Sequence, residues 1–154
     1  MEKVINCVMA IMDAAFDPRW GEAWNRQQVA DALIVPNTHC LVLPPSGKER
    51  EAESAGFLLS RAAPGEEEIL LLAVVPEQRR RGIAGRLLTT FKHDAQQRGA
   101  EKVFLEVRHN NPAIDFYAKH GFRPVGRRAN YYRQKDGSYL DAITFMHNIA
   151  AVAD

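Results

Sequence analysis

From Ile69 to Val75 every residue is apolar, and Pro76 ends the run. A strand that is apolar at odd and even positions alike is covered on both faces, so residues 68–75 predict a strand in the middle of a sheet. Directly behind it stands Arg79-Arg80-Arg81-Gly82-Ile83-Ala84-Gly85-Arg86. Ile83, Leu87, Leu88 and Phe91 then recur at helical spacing, which predicts a helix over 83–98 with Gly99 as its stop. A buried strand, a loop of glycine and arginine, and a helix in succession constrain the chain more than any other feature.

The rest of the sequence builds around that unit. Val4, Ile5, Val8, Met9, Ile11 and Met12 predict a helix over 2–16. Residues 17–21 read as a turn, and a second helix is expected over 24–34, ended before Pro36. Strands are expected over 38–43 and 55–62, separated by a proline- and glycine-bearing loop with a charged hairpin at 48–53. A strand at 103–107 and a helix at 112–120, stopped by Gly121, come next. Strands at 122–126 and 139–147 close the chain around an Asp136-Gly137 turn. Helices, three strands, helix, strand, helix and two strands make a mixed α/β (α+β) sheet with helices packed on it. The 154 residues fit one domain, 1–154, with no linker or repeat.

Composition narrows the function classes. No apolar run reaches the roughly 20 residues a membrane span needs, and residues 1–5 do not read as a secretory leader, so a cytoplasmic protein is expected. Cys7 and Cys40 are too few for a disulfide framework and read as reduced thiols. A net charge of +1 gives no global drive towards nucleic acid. The five histidines are scattered and contain no His-Glu-x-x-His, so no metal is expected.

The loop between strand and helix suits an anion. Gly82, Ala84 and Gly85 keep side chains clear of the backbone amides, and the helix N-terminus adds roughly half a positive charge. Arginines then neutralise phosphate through paired hydrogen bonds. Two other phosphate loops are excluded: the chain has no Gly-x-x-x-x-Gly-Lys-Ser/Thr, and Gly82-Ile83-Ala84-Gly85 does not supply Gly-x-Gly-x-x-Gly. A helix start with solvated arginines is the plainer alternative.

Arg79-x-x-Gly82-x-Ala84 resembles the Gln/Arg-x-x-Gly-x-Gly/Ala loop of the GNAT acetyltransferase superfamily. Phe104-Leu105-Glu106-Val107-Arg108, Asn111-Pro112-Ala113-Ile114, Phe116-Tyr117 and Gly121-Phe122 resemble its later segments, in the same order. Gly126-Arg127-Arg128-Ala129-Asn130-Tyr131-Tyr132, with Asp136-Gly137 and Asp141-Ala142-Ile143, is similar to the branch that acetylates protein N-termini. The likeness covers residues 70–146. It implies a largely antiparallel central sheet flanked by helices, whose splayed central strands form a slot for acetyl-CoA.

The likeness also implies roles. The backbone of Leu72, Ala73 and Val74 would pair with the pantetheine arm, and Arg79, Arg80, Arg81, Gly82, Ile83, Ala84 and Gly85 would form the pyrophosphate loop. Asn111 would meet the cofactor from the other side. Glu106 matches the general base and Tyr117 the general acid. Tyr131 and Tyr132 would hold the acceptor, a protein N-terminus with a ribosomal protein as one candidate. Glu22, Trp20 and Trp24 fall where the acceptor wall is expected.

Each assignment has a plainer counterpart. Glu106 would be a carboxylate pairing with Arg108 along one strand face, Tyr117 an aromatic packed beside Phe116 and Phe122, and His109, which falls near the site as a candidate for a proton relay, a surface residue. Alternation on a strand would turn one of Tyr131 and Tyr132 inward and the other outward. Three further functions are open: acetylation of a small amine or antibiotic, a non-catalytic CoA-binding module, and RNA binding through Arg79-Arg80-Arg81. The last lacks interleaved aromatics. A monomer is expected because no long apolar face is left over.

Overall fold

The structure, a computed structural model, describes residues 1–17, 22–44 and 54–150. The expected loop at 45–53, Trp20 and most of the 17–21 turn lie outside those residues.

Helix α1 (Glu2–Ala15) buries Ile5, Val8, Ile11 and Met12, the stripe its periodicity predicts. Helix α2 (Arg26–Ile34) starts two residues later than expected. Its capping box decides the start: the Asn25 side chain accepts from the Gln28 amide, and the Gln28 side chain accepts from the Asn25 amide, both at 2.8 Å. Trp24 is thereby left outside the helix.

Strands β1 (Thr38–Leu43), β2 (Gly56–Ala63) and β3 (Glu66–Val74) form an antiparallel meander. A 3-10 turn, Pro76–Gln78, leads into α3 (Ile83–Gln97). Strand β4 (Lys102–Arg108) follows, then the short α4 (Ile114–Lys119), β5 (Arg123–Arg133) and β6 (Tyr139–Asn148). The sheet order is β1-β2-β3-β4-β6-β5. Only β3 and β4 run parallel; the other pairs are antiparallel. No described helix is long and apolar enough to cross a membrane.

Two apolar layers clamp the sheet. Ile5, Val8 and Met12 of α1 and Val29 of α2 pack on Phe57, Leu59, Leu71 and Ala73. On the other face Ile83, Leu87, Leu88 and Phe91 of α3 pack on Leu58, Ile69, Val103, Leu105 and Phe145. Beneath the end of α3, Glu67 is 1% exposed and is met by Arg98 at 2.6 and 2.9 Å and by the Ser60 hydroxyl at 2.9 Å. A buried carboxylate is tolerated only with such partners.

Candidate active site

The cleft begins where β3 and β4 stop pairing. Their parallel register runs from Glu66↔Lys102 to Ile69↔Leu105. At that point Leu59 faces Leu71 while Ser60 faces Ile69, so Leu70 has no opposite residue in β2. Such a bulge bends its strand. Strand β3 leaves β4, while β4 stays on β6 as far as Arg108↔Ala142. A cleft of about 350 Å³ opens, with residues 69–72 on one wall and 105–108 on the other.

The backbone of β3 faces this gap in alternation. Val75 donates its N–H to the Ala55 carbonyl at 2.8 Å, on the β2 side. Successive residues of an antiparallel pair alternate between bonding the partner and facing away. The amides of Val74 and Leu72 therefore turn towards the gap. Arg79 is engaged here too: its Nε donates to the Val74 carbonyl at 3.3 Å and its Nη2 to the Ala15 carbonyl at 2.8 Å. Its guanidinium ties the loop to β3 and α1, while Arg80 and Arg81 are exposed.

Gly82 caps α3 at φ 78°, a left-handed conformation that costs a residue with a Cβ. The first helical bond is the Arg86 N–H to the Gly82 carbonyl, at 3.0 Å. The amides of Ile83, Ala84 and Gly85 thus precede the ladder and are the orphan donors of a helix start. Orphan amides, a positive helix end and exposed arginines fit a pyrophosphate, and the gap-facing β3 amides fit an extended arm.

Glu106 lies on the sheet face opposite Leu105, hence on the α1 and α2 side. Its Oε2 accepts from Thr144 Oγ1 at 3.3 Å and forms an ion pair with Arg128, whose Nε lies 3.3 Å away. Arg108 does not pair with it. Arg108 is 7% exposed and donates to Glu22 at 2.5 Å and to Asn110 at 2.8 Å. Glu22 and Trp24 line the same cleft.

Tyr117 is both a packed aromatic and a wall of the cleft. It packs edge-on against Phe116 and Phe122, at 5.4 and 5.7 Å between ring centroids, and it also lines the cleft. Burial pushes its phenol far above the usual range, and the charge of Glu22 adds to the effect. Asn111 lines the cleft with its Oδ1 engaged by the Ala113 amide at 2.8 Å.

Tyr132 lines the cleft, and Tyr131 is 51% exposed. A bulge in β5 separates their settings, because the register passes from Arg128↔Ala142 to Tyr132↔Leu140. Asp141 braces it, accepting from the amide of Asn130 (φ 53°) at 2.8 Å and from Arg127 at 2.7 Å. The rings of Tyr131 and Tyr132 meet at 5.1 Å in a T. The Tyr132 phenol is pushed up to about 12 by burial, with Glu106 the next cause. His109 Nδ1 accepts from the Asp141 amide at 3.0 Å. Among the described residues no cluster of His, Cys, Asp or Glu is arranged to hold a metal ion.

Sequence reasoning missed Phe16 and Gln28, which line the cleft, and Arg128, which meets Glu106. Gln28 carried only a capping signal. Arg128 carried none, because two strand registers set it level with Arg108 across Ala142, and it reaches Glu106 as a diagonal neighbour on the same face.

A splayed parallel pair, a glycine loop opening α3 and a carboxylate and phenol lining one cleft define an acetyltransferase class of fold. The model of the Acetyltransferase (GNAT) family matches residues 5–122, and the chain belongs to that family. It is 35% identical over 88 residues to the [ribosomal protein bS18]-alanine N-acetyltransferase of Haemophilus ducreyi, a match covering 56% of this chain and 61% of that protein. An N-alpha-acetyltransferase of Sulfurisphaera tokodaii is 40% identical over 76 residues, 48% of this chain and 46% of that protein. The chain thus spans about three-fifths or less of the length of these curated relatives. Among solved structures, the ribosomal-protein-S18-alanine N-acetyltransferase from Escherichia coli superposes with a TM-score of 0.80 at 25% identity, over 97% of this chain and 90% of that one.

Proposed function

We propose that the protein is an acetyl-CoA-dependent N-acetyltransferase whose acceptor is the α-amine of a protein N-terminus, a ribosomal protein being the first candidate. The observation that carries this reading is the convergence of Glu106, Tyr117 and Tyr132 on the cleft opened by the Leu70 bulge. The names of the relatives support the acceptor class.

Acetyl-CoA supplies an acetyl group as a thioester. The orphan amides of Ile83, Ala84 and Gly85, with Arg80 and Arg81, hold its diphosphate, and the gap-facing β3 backbone at Leu72 to Val74 aligns its arm. Glu106 takes the proton that the acceptor ammonium gives up. An α-amine with a pKa near 8 costs only about 1.4 kcal/mol to deprotonate at pH 7, against about 4.6 kcal/mol for a lysine side chain. A carboxylate, acting directly or through water, is an adequate base for the former. The Val74 amide donates to the carbonyl oxygen as charge grows there. Tyr117, which burial keeps protonated, gives its proton to the departing thiolate and regains one from the second N–H that the attacking nitrogen loses as the amide forms. Direct attack in a ternary complex needs no acyl-enzyme. Tyr132 and Glu22 flank the acceptor, and Tyr131 covers the mouth.

Mass spectrometry after incubation with acetyl-CoA tests this reading. The panel holds peptides with free N-terminal alanine, serine or methionine, N-terminally blocked peptides with an internal lysine, and small amines such as spermidine and kanamycin. One acetyl group gained only on free peptide N-termini is the expected result. Acetylation of the small amines alone would overturn the acceptor assignment and the roles given to Tyr131 and Tyr132.

A further inference from the structure

Glu106 stands between two cavities. It lines the cleft and also a second hollow of about 320 Å³, further back along β3 and β4. The other residue common to both linings is Leu105, so Glu106 is the one polar side chain that joins them among the described residues. Phe16, Trp24 and Gln28 cover the cleft from the helical side, whereas the described residues around the second hollow all belong to strands. The carboxylate leans towards that hollow. Both groups that engage its Oε2, Thr144 and Arg128, form part of the hollow's wall and not of the cleft's.

A second carboxylate shares the hollow. The parallel register sets Glu68 level with Phe104, and Glu106 lies two residues on, on the same face as Phe104. Glu68 and Glu106 are therefore diagonal neighbours on adjacent strands, and Glu68 is exposed to solvent. The charges that face Glu68 are Arg61, its partner on β2, Glu66 on its own strand, Glu106 on β4 and Arg128 on β5. Partial desolvation raises its carboxyl above the ordinary value, and the Glu106 charge adds to the effect. Arg61 and Arg128 oppose it, and Glu66 adds to it.

A base must lose its proton before it can act again. With acceptor and acetyl-CoA in the cleft, that side of Glu106 is closed to bulk water. We propose that the second hollow is the outlet for the proton Glu106 takes, and that Glu68 is the group that passes it on to bulk water. The inference rests on the reading of Glu106 as the base and adds the step that resets it. The acceptor ammonium gives one proton to the Glu106 carboxylate. The acid so formed gives it to the Glu68 carboxylate through solvent in the hollow, which is polar and roomy enough to admit water. Glu68 releases it to bulk water, both carboxylates are restored, and no further reactant is needed.

Steady-state kinetics in dilute buffer test the proposal. Glu68→Gln should lower kcat by about tenfold, less than the loss expected for a base in contact with the amine. Its acceptor KM and its thermal melt should stay those of wild type. Added imidazole, a proton carrier small enough for the hollow, should bring kcat of this variant back towards wild type as its concentration rises, and leave wild type unaffected. A wild-type kcat for Glu68→Gln in dilute buffer would overturn the outlet and leave Glu106 standing as the base. So would a loss of kcat that imidazole does not relieve. Full activity of Glu106→Gln in the same assay would overturn the base and the outlet together.

Discussion

Arg108 and Glu22, 86 positions apart in the chain, meet at 2.5 Å beside the cleft. The contact joins the end of β4 to the segment before α2, so one ion pair closes the wall between the sheet and the helical layer. Arg108 is 7% exposed and the Glu22 side chain 28% exposed. Glu22→Ala removes the carboxylate from a largely buried guanidinium and should cost on the order of 1–2 kcal/mol of stability, read by urea denaturation. The KM for a peptide acceptor should rise in the same variant, with acetyl-CoA affinity nearly unchanged. A stable variant with an unaltered acceptor KM would remove Glu22 from the acceptor wall.

Catalysis should divide between two side chains of the cleft. Glu106→Gln is expected to lower kcat by about 10²-fold or more and to leave acetyl-CoA binding intact, the usual scale for a positioned proton acceptor. Tyr117→Phe keeps the edge-on packing with Phe116 and Phe122 and removes only the hydroxyl. Stopped-assay kinetics should show a kcat loss for this variant without a loss of fold. Full activity in either variant would reassign its role to another residue or to water.

The Glu67 carboxylate is held in the core by Arg98 and Ser60. Arg98→Ala leaves a carboxylate that is 1% exposed with a single hydroxyl partner among these two. Because the Arg98 side chain is 29% exposed, the expected cost is reduced to about 2 kcal/mol. A lower urea midpoint with unchanged slope would report it.

Acid should weaken the fold through His147. Burial, and after it the charge of Lys92, lowers the pKa of this imidazole from the ordinary 6.5. The unfolded chain therefore binds the proton first, and folding is favoured most when the ring is neutral. Stability should be full above pH 6.5 and fall as pH drops from there through the lowered folded value. Thermal melts across pH 5–8 should show that loss, and His147→Asn should flatten it.

The sequence by itself determined what depends on near neighbours. Residues 38–43 were expected as a strand and form β1 with those bounds, because local β-propensity and the following prolines agree. The start of α3 at Ile83, the stop at Gly99 (φ 94°) and the stop at Gly121 (φ 92°) follow from glycine at left-handed positions. The strand-loop-helix unit from β3 to α3 was legible for the same reason, since its glycines and arginines are consecutive in the chain. Strand β5 was not: expected over 122–126, it runs Arg123–Arg133 and is exposed at all but one position, so it carries no alternating apolar signal. The partners of the site were equally out of reach. Local spacing pairs Glu106 with Arg108, whereas the fold gives Glu106 to Arg128 and Arg108 to Glu22. The Leu70 bulge that opens the cleft sits inside an uninterrupted apolar run, where nothing local marks it. Only strand register and the packing of α1 and α2 on the sheet decide which charges meet, because those contacts join residues distant in the chain that local periodicity does not relate.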